Sequence, residues 1–132
     1  MKFTIYQASR QGGRKNNQDR VAYSYSREAL LMVVADGMGG HMHGEIAAQI
    51  AVQTLTDHFQ KMAKARLDDP MAFLADSITH AHFAINDYAV EQDLLEIPHT
   101  TIVAAVVQDN TAYWAHVGDS RLYLFSDGSL IA

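Results

Sequence analysis

Three carboxylates and one guanidinium stand where they could do chemistry together. Asp19 closes the polar loop "RQGGRKNNQD", Asp36 leaves the apolar run of "VVADGMGGHMHGE", and Asp119 lies in the break "GDS" between two apolar segments. Each adjoins the end of an expected strand, so all three can converge at one end of stacked sheets. Carboxylates gathered without any cysteine, with a glycine carbonyl able to contribute, suit hard cations such as Mg²⁺ or Mn²⁺ better than zinc. Taken singly, each acid also reads as a turn or cap residue. Arg14, five residues before Asp19, offers a bidentate fork to phosphate oxygens, or is simply a surface arginine.

The histidines and glycines offer rival readings. His41 and His43 have a His-x-His spacing that can put two imidazoles on one metal in an extended segment, but here the segment is expected to open a helix, where residues two apart diverge. His80 and His82 meet the same objection inside a second helix. Glycines at 37, 39 and 40 permit backbone angles closed to other residues and let a ligand approach the main chain. No Lys-Ser or Lys-Thr follows them, so the segment is not a P-loop.

The elements that position these residues are legible from periodicity. Residues 3–9 alternate weakly as a first strand; "RVAYSYS" places Val21, Tyr23 and Tyr25 on one face of a second; residues 29–35 form a third, buried one. Ala47, Ile50, Ala51, Leu55, Phe59 and Met62 then define a helical stripe. Asp69 and Pro70 supply the cap and first-turn proline of a second helix, whose apolar series is Leu74, Ile78, Ala81, Ile85 and Tyr88. Strands return with "TIVAAVVQ", a turn at Asp109 and Asn110, "TAYWAHV", "RLYLF" and a turn in "SDGS" that takes in Asp127. The chain stops three residues later, which leaves "RLYLF" as an edge, and a truncated domain is expected.

Composition bounds the rest. The 132 residues, 48% hydrophobic, suffice for one domain with a core. The absence of cysteine and of an apolar leader or spanning segment points to a cytoplasmic protein with no membrane association. A net charge of −5 argues against nucleic-acid binding. Seven acids without Lys or Arg between Asp68 and Glu96 read as a solvated helix face.

Taken in order, "RKNNQDR", "VVADGMGGHMHGEIAA", "TTIVAAVV" and "VGDSRLYLF" resemble the metal-dependent Ser/Thr protein phosphatases of the protein phosphatase 2C type, most closely their bacterial branch. The resemblance implies an α/β (α+β) fold, a four-layer α-β-β-α sandwich of two antiparallel sheets. Residues 1–132 would be the N-terminal part of one such domain, with the C-terminal part and its ligands absent. It further implies that Asp36 bridges two Mg²⁺ or Mn²⁺ ions, that the Gly37 carbonyl ligates one, and that Asp19 serves the second directly or through water. Asp119 resembles the ligand of a third, weaker site, and Arg14 matches the phosphate-binding arginine. The implied reaction is direct hydrolysis of phosphoserine or phosphothreonine by a metal-activated water, without a phosphoenzyme. His41 is the candidate to protonate the leaving oxygen. Expected partners are phosphorylated proteins, targets of Ser/Thr kinases, and a second copy of the chain at the exposed sheet edge. A chain lacking half its ligands could instead be a non-catalytic binding or regulatory module. His99 stands where the family usually has glycine, and Met38 where eukaryotic members have histidine.

Overall fold

A computed structural model describes residue 3 and residues 19–37, 43–118, 125–126 and 129–130. In chain order the elements are β1 (Asp19–Tyr25), β2 (Ala29–Gly37), α1 (Gly44–Met62), α2 (Pro70–Glu91), β3 (Thr100–Gln108), β4 (Thr111–Val117) and the two-residue strands β5 (Phe125–Ser126) and β6 (Ser129–Leu130). β1 to β4 form one antiparallel sheet in sequence order, with the helical hairpin inserted between β2 and β3. β5 pairs with β6, Ser126 opposite Ser129, in keeping with the expected final hairpin. Two layers of the expected sandwich are thus described, one sheet and one helix pair. The expected first strand apart from Phe3, the "RLYLF" strand apart from Phe125, and Asp127 lie outside the described residues.

Alternation decides which face of the sheet is core. Ala29, Leu31, Val33 and Ala35 of β2, with Ile102, Ala104 and Val106 of β3, are buried against the helices. They meet Ala48, Ala51, Val52, Leu55 and Phe59 of α1 and Phe73, Leu74 and Ala81 of α2. Each large side chain buried here contributes about 1.5–3 kcal/mol. Two residues of the predicted α1 stripe behave differently. Ile50 is only half-buried, because it lies about 140° around the helix from Leu55 at 100° per residue. Met62 is in phase but falls in the last turn, where it stays exposed. The stripe takes Ala48 and Val52 instead.

The opposite face of the sheet is also apolar. Tyr23, Val34 and Trp114 are each about two-fifths exposed on it, and Phe3 packs edge-on against Tyr25, ring centroids 5.4 Å apart. Among the described residues, no helix or sheet layer covers that face.

One end of the sheet is fastened by polar clamps. Gln108, buried at the end of β3, accepts from Leu67 N–H at 2.8 Å and donates to Leu67 C=O at 2.9 Å, satisfying both backbone polar groups of this residue of the α1–α2 loop. Ser26 Oγ and Glu28 N–H both donate to Ala65 C=O, at 2.8 and 2.9 Å, and Arg66 forks onto Asp109 in the β3–β4 turn. Asp109 and Asn110 both have positive φ, the geometry of a two-residue hairpin turn. Helix α2 begins as its sequence predicts: the Asp69 carboxylate accepts from Ala72 N–H at 3.1 Å and Pro70 opens the first turn. The candidate site lies at the other end, where β2 and β4 finish and β1 and β3 begin.

Candidate functional site

β2 runs two residues further than the sequence suggested, so Asp36 and Gly37 belong to the ladder. Asp36 is paired with Asp19 on β1 and with Thr101 on β3, and Gly37 with Thr100. Directly opposed residues share a face, with Cβ atoms about 4.5–5.5 Å apart. The Asp19 and Asp36 side chains therefore leave the sheet together, on the face turned away from the helices. Both are half-buried. Two carboxylates opposed in this way repel each other, and a cation between them reverses the sign of that interaction.

Thr101 holds the backbone of Asp36. Its Oγ1 accepts from Asp36 N–H at 3.3 Å, and it lies 3.5 Å from the Asp36 carbonyl oxygen. On the other flank is Gly118, at φ +94°. A Cβ built there would sit 2.5 Å from Thr101 Cγ2, so the close approach of β3 to the end of β4 requires glycine. Arg20, beside Asp19 in sequence, donates from Nη1 to the Asp19 carbonyl at 2.8 Å.

Of the expected site residues, the structure brings together Asp19, Asp36 and Gly37. Arg14, His41 and Asp119 lie outside the described residues, although Gly118, which precedes Asp119, adjoins Thr101. Among the described residues no group of three or more His, Asp or Glu side chains is assembled to hold a metal ion. The oxygen donors present, two carboxylates and the Gly37 carbonyl, match a hard divalent cation and would supply part of its shell. His43 is the residue before α1, in a left-handed conformation at φ 64°, and its carbonyl accepts from Ile46 and Ala47. His80 and His82 diverge as residues two apart on a helix must: His82 bonds Asn86 at 3.2 Å, whereas His80 turns toward α1.

That turn reveals a polar contact the sequence did not show. His58 of α1 lies 2.5 Å through Nδ1 from the buried Ser77 Oγ of α2, with its ring 5.1 Å from those of both His80 and Phe73. Burial, His80 and Lys61 together hold the His58 pKa below the ordinary histidine value, against the opposing pull of Asp76. The only signal for this in the sequence is a serine at a core-facing position of α2, next to Ile78.

The profile of the family described as protein phosphatase 2C matches residues 7–132. This chain belongs to the protein phosphatase 2C family. A protein phosphatase 2C-type protein of Streptococcus pyogenes is 33% identical over 116 residues, which cover 87% of this chain and 47% of that protein. The serine/threonine protein phosphatase PstP of Mycobacterium tuberculosis is 36% identical over 123 residues, covering 89% and 21%. The crystal structure of the PstP catalytic domain with two manganese ions superposes at TM-score 0.73 and 36% identity, over 89% of this chain and 48% of that one. The phosphatase Stp1 of Staphylococcus aureus matches at TM-score 0.77 and 30% identity, over 91% and 48%. The chain spans about half the length of the bacterial phosphatase 2C domains it matches. No helix among the described residues is long and apolar enough to cross a membrane.

Proposed function

We propose that this chain carries one half of the active site of a Mg²⁺- or Mn²⁺-dependent serine/threonine protein phosphatase, and that residues 1–132 form the N-terminal part of that single domain. The opposition of Asp19 and Asp36 across β1 and β2 carries the reading. The PstP catalytic domain, a relative in this family, holds two manganese ions, which supports reading those acids as an anchor for cations. When bound, the divalent ions supply charge to stabilise the phosphoryl group and a water acidified enough to attack it. Asp36, Asp19 and the Gly37 carbonyl would hold these ions on this side, and Asp119 would serve a weaker third site.

Arg14 orients the phosphate of a phosphoserine or phosphothreonine side chain, and His41 delivers a proton to the departing oxygen. The substrates are cytoplasmic phosphoproteins, the products of Ser/Thr kinases. The remaining ligands come from sequence equivalent to the other half of the relatives, which would also cover Tyr23, Val34 and Trp114. Without it the apolar face favours self-association. In any form that contains the whole domain, Asp36→Asn abolishes Mn²⁺-dependent hydrolysis of a phosphothreonine peptide; activity surviving that change contradicts the assignment.

A further inference from the structure

We infer that Thr101 is a positioning residue for Asp36, aiming its carboxylate through the main chain; the inference rests on the metal-site reading above. Thr101 is 3% exposed and paired in register with Asp36. Its hydroxyl accepts from the Asp36 N–H at 3.3 Å and stays within 3.5 Å of the Asp36 carbonyl oxygen, so one oxygen touches both polar groups of that residue. Its methyl fills the space over Gly118, where a Cβ would come within 2.5 Å of Cγ2 and 2.9 Å of Cβ. The two branches are therefore committed to different neighbours, the hydroxyl to β2 and the methyl to the end of β4.

A β-branched side chain is stiff at χ1, and here rotation would push either the methyl into the Asp36 peptide or the hydroxyl against Gly118. The side chain thus joins the strand end that carries Asp36 to the turn that leads into Asp119. Groups that orient ligands without touching the metal commonly change metal affinity 10–100-fold when removed. Thr100 has no comparable role, since its hydroxyl turns to the Thr101 carbonyl at 2.9 Å.

Thr101→Val keeps the shape and removes the hydroxyl; Thr101→Ser keeps the hydroxyl and removes the methyl. Mn²⁺ titration by calorimetry is combined with amide hydrogen exchange at Asp36 and with the melting temperature, both measured without metal. The expected result for Thr101→Val is Mn²⁺ affinity lower by about tenfold or more, with faster exchange at the Asp36 amide and a lowered Tm in a chain that still folds. Thr101→Ser holds Mn²⁺ within about threefold of wild type. Unchanged affinity in the valine variant, or an equal loss in the serine variant, overturns the inference. Should the valine variant fail to fold, Thr101→Ala carries the same comparison with serine. Asp36→Asn separates the two levels. If it abolishes Mn²⁺ binding and Thr101→Val does not alter it, only the positioning role falls; if the wild type binds no Mn²⁺, the metal-site reading falls and takes this inference with it.

Discussion

Gly118→Ala isolates the contact on which the site end of the sheet is built. The residue sits at φ +94°, where an L side chain costs roughly 1–2 kcal/mol. The new methyl would also stand 2.5 Å from Thr101 Cγ2 and 2.9 Å from Thr101 Cβ, and overpacking of this kind costs about 1–3 kcal/mol. The two together come to about 2–5 kcal/mol. With an unfolding entropy near 2.1 cal/mol/K per residue, 132 residues lose about 3.6 °C of Tm per kcal/mol, so the variant should melt roughly 7–18 °C lower. Thermal unfolding followed by circular dichroism without metal measures it. Combining the change with Thr101→Ser removes the nearer of the two clashing atoms. Gly118→Ala should therefore cost clearly less in the serine background, a coupling of about 1–3 kcal/mol. A fall of less than about 2 °C, or no relief in the double variant, would refute the reasoning.

Two further predictions concern what the helices and loops contribute. Gln108→Leu leaves the Leu67 N–H and C=O buried without their partners, and should destabilise by about 2–5 kcal/mol, read as a lower urea midpoint at unchanged m-value. Because the folded state depresses the His58 pKa, mainly by burial, the unfolded chain holds more protons in the window just below pH 6.5. The stability that His58 contributes is therefore complete above pH 6.5 and is lost as pH falls through the lower folded-state value; a urea midpoint series over pH 5–8 should show this slope, flattened in His58→Gln.

Local pattern makes much of this fold readable in the sequence. The series Leu74, Ile78, Ala81, Ile85 and the Asp69-Pro70 start define α2 because helix period and cap chemistry are properties of neighbours in sequence. The same holds for the strand at 29–35 and the turn at Asp109-Asn110. What remained hidden depends on register. That Asp36 faces Asp19 on one side and Thr101 on the other is set by pairing across 17 and 65 residues, which no local period encodes. Gln108 reads as the polar end of a strand, and only the fold shows its amide holding Leu67. His58 and Ser77 meet because α1 and α2 pack side by side, a contact that no local spacing encodes. Sequence order of the motifs carried the proposed metal-site residues; geometry added Thr101, which bonds the Asp36 backbone, and Gly118 packed against it.

The most direct test of the account is whether Asp19 and Asp36 share a divalent cation. Mn²⁺ titration of the wild-type chain, Asp36→Asn and Asp19→Asn by calorimetry, with folding of each checked by circular dichroism, measures it. Saturable binding by the wild type, no detectable binding by Asp36→Asn and weakened binding by Asp19→Asn are predicted. Mn²⁺ binding of equal affinity in a folded Asp36→Asn variant would contradict it.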